Sequence, residues 1–318
     1  MSRPQLSVIV PVYNEEEMLA DCLRTLVDQD DPVDEIVVVD NNSTDASVAV
    51  AEALADQFPV IRVMRAREQG VINARSEGFD EAVGDVLARV DADTRVTPSW
   101  ARTVRDFFLS HGNRFAAGSG LCSCHDLPWQ GVFRRQQRRI SDSVAASLAD
   151  GDESAAESPR LFGSNMAIDR QAWETVRADR SRSTDVFEDL DLSLTLEAAG
   201  YRMGLIPHAD AQISGRRFLS PPRAYLRYCW RDQRTLRRRG HIRRAWRAVG
   251  DDRARADAVL LPHVDPVPCV RTPTPNGCDR VDCCAATSTG CSPAGIDRAG
   301  SAVTSPTRQL DARPPTPR

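Results

Sequence analysis

Apolar and polar residues alternate in blocks along the first 95 positions. Leu6–Val12 is a continuous, mainly apolar run of strand length. Residues 15–29 place Met18, Leu19, Cys22, Leu23 and Leu26 at helical spacing. Glu35–Asp40 reads as a second buried strand and residues 46–58 as the helix after it. A third short strand is predicted over 60–64, a helix over 70–83 and a fourth strand over 85–91. Between the second strand and its helix, Asp40-Asn-Asn-Ser-Thr-Asp45 supplies turn residues, with Ser43 or Thr44 as the expected N-cap. Strands alternating with helices predict an α/β fold with a mostly parallel, doubly wound sheet. Ligands of such sheets sit beyond the carboxyl ends of the strands. That singles out Asn14 and Glu15, residues 40–45, and residues 91–94.

From residue 97 to about 217 the pattern loosens. Helices are expected over 99–111, 129–150, 170–177 and 187–199, the last ended by Gly200. Short strands are expected within 161–169, 202–206 and 211–214, with an acidic loop over 151–159. Residues 216–247 differ from everything before them. They hold twelve Arg and one acid, Asp232, interleaved with Tyr225, Leu226, Tyr228, Trp230, Leu236, Ile242 and Trp246. Such a segment suits an anionic lipid surface or an anionic acceptor, and equally a helix docked by its aromatic stripe. Beyond 249 the periodicity stops. Ten of the 20 prolines and five cysteines fall there, which predicts a disordered tail or a shifted reading frame. The expected division is 1–217 as the globular domain, with 1–95 its nucleotide-binding half and 96–217 its acceptor-side half. A basic amphipathic extension over 218–249 and the tail over 250–318 complete it.

The net charge of −4 argues against duplex nucleic acid as a partner. All 41 basic residues are Arg, so chemistry that needs a lysine is excluded. The opening apolar run is too short for a secretory segment, and no stretch nears 18 apolar residues, so a cytoplasmic protein is expected. Cys22, Cys122, Cys124 and Cys229 are scattered, and the five tail cysteines match no zinc spacing. Free thiols are therefore expected.

Three short acidic groups could carry chemistry. Asp91-Ala-Asp93 follows an apolar strand, where two carboxylates could hold a hard divalent cation against a phosphate. The same pair would serve as a solvated strand end or a helix cap. Glu188-Asp189 with Asp191 could supply a general base, or simply the acidic first turn that a helix dipole favours. Asp40 could accept a hydrogen bond from a base or ribose, or only shape its turn.

Taken in order, these segments resemble the family 2 inverting glycosyltransferases of the GT-A fold. The resemblance rests on Val8-Ile-Val-Pro-Val-Tyr-Asn-Glu15, on residues 35–45, and on Gly70-Val-Ile-Asn-Ala-Arg75 with Gly78, Ala82 and Gly84-Asp85. It continues through Asp91-Ala-Asp93, Gly163-Ser-Asn-Met-Ala-Ile-Asp-Arg170, and Glu188-Asp189 with Asp191-Leu192 and Gly200-Tyr201. It implies that Pro11, Tyr13 and Glu15 line a nucleotide pocket, that Asp40 binds the base, and that Arg75 approaches the nucleotide. Asp91 would contact the ribose or the metal shell, and Asp93 would ligate Mn²⁺ or Mg²⁺. Asp189 would be the base near the pocket mouth, with Glu188 shaping its hydrogen bonds. His208 would be either a further metal ligand or a surface residue beside Pro207.

The implied reaction moves one sugar from a nucleoside-diphosphate sugar to an acceptor hydroxyl, with inversion. UDP is the commonest donor nucleotide among such relatives, and the acceptor could be lipid-linked or a cell-envelope glycan. Neither the Gln-x-x-Arg-Trp motif nor the membrane helices of processive relatives are found, which favours a single transfer. The basic segment suggests peripheral contact with the inner face of a membrane. A sugar nucleotidyltransferase would need a basic, Gly-rich loop after the first strand, whereas Val12-Tyr-Asn-Glu-Glu-Glu17 is acidic. A non-catalytic or damaged relative of the same fold is the other alternative.

Overall fold

The computed structural model describes residues 3–241, apart from 129, 182, 218 and 220. The expected tail, with its five cysteines, and residues 242–249 of the basic extension lie outside the described residues. So do the side chains of Tyr225, Leu226, Tyr228 and Cys229.

The central sheet is built on β1 (Leu6–Val12) and β2 (Glu35–Asp40), which coincide with the two longest apolar runs. β3 (Ile61–Arg65) and β4 (Val86–Val90) flank them. Together they form the parallel order β3-β2-β1-β4. Strands buried on both faces need no polar alternation, and Val8, Ile9, Val10, Ile36, Val37 and Val39 are all fully buried. The sheet then becomes mixed. β8 (Asn165–Asp169) runs antiparallel to β4 and to β6 (Ala117–Ser119), and β9 (Met203–Leu205) runs parallel to β6. A second sheet, in the order β5 (Arg95–Val96), β10 (Ala211–Ile213), β7 (Cys122–Cys124), lies beyond the carboxyl ends of the first. The expectation of a mostly parallel α/β sheet is met. β5, β6 and β7 were not foreseen, because two or three residues carry no period to read.

Helices cover both faces: α1 (Leu19–Val27), α2 (Ser47–Ala55), α3 (Val71–Glu81) and α4 (Trp100–His111) in the first half. α5 (Gln130–Ala149), α6 (Arg170–Val176), α7 (Glu188–Ala198) and α8 (Pro222–Arg238) follow. α1 starts four residues later than its pattern suggested, because residues 16–18 form a turn. The expected cap of α2 is corrected. Ser43 and Thr44 lie too early, and Asp45 instead accepts from the N–H and hydroxyl of Ser47. Ser43 serves a different purpose: its Oγ accepts the Asn14 N–H at 3.1 Å, while Asn14 Oδ1 accepts the Thr44 N–H at 2.8 Å. Asn14 has φ 54°, a left-handed conformation that Asn tolerates. These bonds lace the loop after β1 to the loop after β2.

One buried polar bridge fixes the second half. Trp100 Nε1 donates to Asn165 Oδ1 at 2.8 Å, and Asn165 Nδ2 donates to the Ala209 carbonyl at 2.7 Å. α3 lies so close to the sheet that a Cβ on Gly78 would stand 2.5 Å from a methyl of Ile9 and 2.9 Å from one of Val39. Gly78→Val should therefore cost about 1–3 kcal/mol of stability, read as a lower urea midpoint. A midpoint equal to that of the parent would show that α3 stands farther off the sheet than it does here.

Candidate active site

The site forms where β1, β2 and β4 end. Pro11, Tyr13 and Glu15 from the β1 end, Asn41 from the β2 end, Arg75 from α3, and Asp91 and Asp93 from the β4 end line one cleft of about 250 Å³. Arg216 and Arg217, on a short turn after β10, close its far side. Six of the ten residues singled out from the sequence thus share one space: Pro11, Tyr13, Glu15, Arg75, Asp91 and Asp93. The other four are placed elsewhere.

Asp40 does not line that cleft. Its buried carboxylate accepts the Ser43 N–H at 3.0 Å and stands 3.7 Å from Arg65, in a neighbouring cavity of about 440 Å³. Its neighbour Asn41 lines the cleft instead, and Asn41 Oδ1 accepts the Gly70 N–H at 2.6 Å. Of its two expected places, His208 takes the one at the surface and not the one beside Asp93. It faces Asp142 on α5 at 3.6 Å, with a half-exposed side chain, and does not line the cleft. The imidazole near Asp93 is that of His125, whose Nε2 lies 3.3 Å from the Asp93 carbonyl.

Glu188 and Asp189 open α7 and are both buried. Glu188 is the hub of a cationic cluster. Arg75 Nη1 donates to its Oε2 at 3.0 Å, Arg180 Nη2 donates to its Oε1 at 2.5 Å, and buried Arg89 also donates to Oε2. Burial alone would raise the Glu188 pKa, but Arg89, Arg180 and Arg75 reverse this and hold it far below the carboxylate range. So placed, Glu188 cannot exchange a proton near neutral pH. It shapes the arginines and not, as expected, the hydrogen bonds of Asp189.

Asp189 instead takes its hydrogen bonds from the backbone. Its Oδ2 accepts the Gly163 N–H at 3.1 Å and its Oδ1 the Leu190 N–H at 3.0 Å. Arg160 stands 3.7 Å from Oδ1. Gly163 opens the segment expected on the acceptor side, and a Cβ there would fall 1.7 Å from Arg89 Nη2. Asp189 lies just behind the cleft wall and does not line it.

Arg75 connects the two acidic motifs. While Nη1 holds Glu188, Nη2 donates to Asp91 Oδ1 at 2.9 Å. Asp93 is the unbalanced member. Burial, Asp91 and Glu15 push its carboxyl up to about 6, against the opposing pull of Arg216 and Arg217. Arg89, Arg160, Arg180, Arg216 and His125 are site residues that no sequence motif marked. For Arg89 a signal existed: a lone Arg within the buried run Val86–Val90 demands a buried acid.

Comparison with known proteins bears on the family and the fold. The model for "Glycosyl transferase family 2" matches residues 7–143, and that for "Glycosyl transferase family group 2" matches residues 87–240. A β-monoglucosyldiacylglycerol synthase from Synechocystis is 25% identical over 233 residues, 67% of this chain and 44% of that protein. A dolichol-phosphate mannosyltransferase from Pyrococcus furiosus is 38% identical over 116 residues, 36% of this chain and 33% of that one. The chain therefore spans less than half the length of these curated relatives. A mannosyltransferase from Pyrobaculum calidifontis, solved with GDP-Man and Mn²⁺, superposes with a TM-score of 0.52. It is 22% identical, over 82% of this chain and 79% of that one, and shares the GT-A fold.

Glu188→Gln would leave buried cations without their counter-charge and should lower stability by ~3–5 kcal/mol. A carboxylate with a depressed folded pKa stabilises above its unfolded pKa, and that contribution fades as pH falls toward the folded value. The gap between parent and variant, measured by urea unfolding, should be widest above about pH 5 and narrow steadily in acid. A gap independent of pH would mean that the charge of Glu188 is not what holds the cluster. Residues 7–240, with this cleft and this fold, belong to the family 2 glycosyltransferases.

Proposed function

We propose that this chain is a metal-dependent, inverting glycosyltransferase that moves one sugar from a nucleoside-diphosphate sugar to an acceptor hydroxyl. The observation that carries this reading is the Arg75 guanidinium, bonded at once to Asp91 and Glu188. It puts the D-x-D strand end and the Glu188-Asp189 helix on one site, as a donor and an acceptor group require.

In this reading Pro11, Tyr13, Glu15 and Asn41 bound the nucleotide, and Asp40 meets the base only across the turn it braces. Asp93, with Asp91, holds Mn²⁺ or Mg²⁺. Their chemistry fits: the donors are carboxylate oxygens at one strand end, and such cations commonly take one or two carboxylates and complete their shell with phosphate oxygens and water. Burial, and after it the charges of Asp91 and Glu15, raises the Asp93 pKa, and a bound cation would offset both. When bound, the cation neutralises the charge growing on the departing diphosphate. His208, paired with Asp142, is left out of the ligand set.

Asp189 is the base. Backbone N–H groups fix its carboxylate, and each oxygen retains acceptor capacity for an acceptor hydroxyl. The proton passes to Asp189, the hydroxyl oxygen attacks the anomeric carbon, and the bond to the diphosphate breaks on the opposite face. One displacement inverts the centre and needs no second carboxylate as nucleophile. A sugar nucleotidyltransferase is less well supported, since Glu15 and Glu16 follow β1 where a triphosphate would need cations.

The names of the relatives, which act on a diacylglycerol lipid and on dolichol phosphate, support a lipid-linked acceptor. Among the described residues no helix is long and apolar enough to cross a membrane. Peripheral contact through α8 is consistent with exposed Trp230 and with the Arg residues of its last turn. Vesicles containing anionic lipid should then sediment the protein, with binding that weakens as salt rises. No salt-sensitive binding to anionic vesicles would remove the membrane from this proposal.

A thermal-shift panel of UDP, GDP, TDP and CDP, each with Mn²⁺ or chelator, tests the reaction class. A nucleotide at 100 times its dissociation constant adds ~2.7 kcal/mol of stability. One nucleotide should shift the melting temperature only with metal, and Asp93→Asn should abolish the shift. Asp189→Asn should keep the shift and lose turnover, by about 10²-fold or more. Metal-independent shifts, or full turnover in Asp189→Asn, would overturn the assignment.

A further inference from the structure

Arg216 lies where a cation is wanted. Its guanidinium donates to Glu15 and stands 3.4 Å from Asp93 Oδ2, so one side chain answers two of the carboxylates that line the cleft. The side chain itself is half-exposed, while both carboxylates are largely covered. It therefore reaches into the site from an open rim. Its backbone is pinned. Asp126 accepts the Gly215 N–H at 2.6 Å and the Ser214 hydroxyl at 2.7 Å, and neighbouring His125 touches the Asp93 carbonyl. The loop of residues 125–126 thus fixes the root of Arg216 and the back of Asp93 with one short piece of chain. Root and target are held; the long side chain between them is free to change partner.

We infer that Arg216 is an exchangeable cation of the donor site: it occupies the Glu15–Asp93 position when no metal is bound, and turns to the donor diphosphate when metal takes Asp93. This rests on the reading of Asp93 as a metal ligand. A guanidinium and a divalent cation cannot both sit against the same carboxylate edge without strong repulsion. A released guanidinium facing a diphosphate has a better partner there, because its planar fork matches two phosphate oxygens. Arg217 lines the same cleft and adds positive charge beside it. The exchange makes the metal and the diphosphate mutually dependent. Metal alone must displace Arg216 and gives it no new partner; metal with diphosphate supplies both. Monophosphate nucleotides lack the second phosphoryl group that would complete the exchange.

The test is binding, not turnover, on the full chain. Isothermal titration measures Mn²⁺ alone, then nucleoside diphosphate and monophosphate in saturating Mn²⁺, for the parent, Arg216→Gln and Arg216→Lys, at 50 and 300 mM salt. Arg216→Gln should bind Mn²⁺ alone about tenfold more tightly and the diphosphate about tenfold more weakly. The monophosphate should change little. These opposite changes should persist at high salt, whereas a distant charge effect would be screened. Arg216→Lys should recover most of the competition with Mn²⁺ but less of the diphosphate affinity, since it lacks the fork. A parent that binds nucleotide with metal while Arg216→Gln matches it in every titration would overturn the exchange alone. A parent that binds no nucleotide under any condition would overturn both the exchange and the glycosyltransferase reading beneath it.

Discussion

Arg89 and Arg180 are cations with almost no access to water, and a single carboxylate, Glu188, answers them both. The rest of the site depends on that arrangement. Arg89 projects from the middle of β4, Arg180 from the segment after α6, Arg75 from α3, and Glu188 from the first turn of α7. Two stretches of chain about a hundred positions apart are thus fixed to one pair of oxygens. Desolvating so many charges is expensive, and a well-packed apolar cluster would hold the elements together at least as strongly. What an apolar cluster would not supply is direction. The bond from Arg75 to Asp91 follows from where Glu188 places the guanidinium, and the next residue along α7 is Asp189. Position, more than stability, is what this cluster provides.

The cleft shows the complementary imbalance. Behind its wall, arginines outnumber the acid they share; within it, Glu15, Asp91 and Asp93 stand together, and burial with the charges of Asp91 and Glu15 pushes the Asp93 carboxyl up to about 6. The two excesses do not cancel internally, because Arg75 alone touches both sides. A site left with anionic groups at its rim and cationic groups at its back is set to receive a ligand carrying both kinds of charge. In the proposed reading that ligand is a metal-bound diphosphate, and the Arg216 turn and the D-x-D pair, which line one cleft, form one electrostatic problem.

The parts of this architecture that were legible in the sequence are those written locally. β1 and β2 match their apolar runs to the residue, since a strand buried on both faces must be apolar throughout. Asp91 and Asp93 were visible because they follow such a run, and Glu188 and Asp189 because they open a helix with an acidic first turn. What could not be read is pairing across distance. Nothing near Arg89 says that its partner lies 99 positions away. Asp40 and Asn41 differ by one position, and only the twist of the β2 end decides that Asn41 faces the cleft. Arg216 reads from the sequence as the start of a basic helix, but it sits on a separate turn ahead of α8, aimed at acids from the opposite half of the fold.

The basic segment itself resolves into two faces once its partners are known. Asp232, its only acid, turns inward to Arg160 at 2.9 Å, the same arginine that stands by Asp189. Thr235 Oγ1 accepts the Phe187 N–H, Arg239 pairs with buried Asp191 at 2.7 Å, and Arg231 bonds the carbonyls of Thr184 and Val186. The ring of Phe187 lies between the guanidinium groups of Arg160 and Arg231. α8 is therefore docked by polar bonds, and by buried Leu236 against Leu190 and Leu194, onto the very turn that presents Asp189, while Trp230 is left exposed. A helix attached in this way cannot shift without disturbing residues 184–191. Whatever surface its outward face meets, that surface is mechanically two side chains, Asp232 and Arg160, away from Asp189.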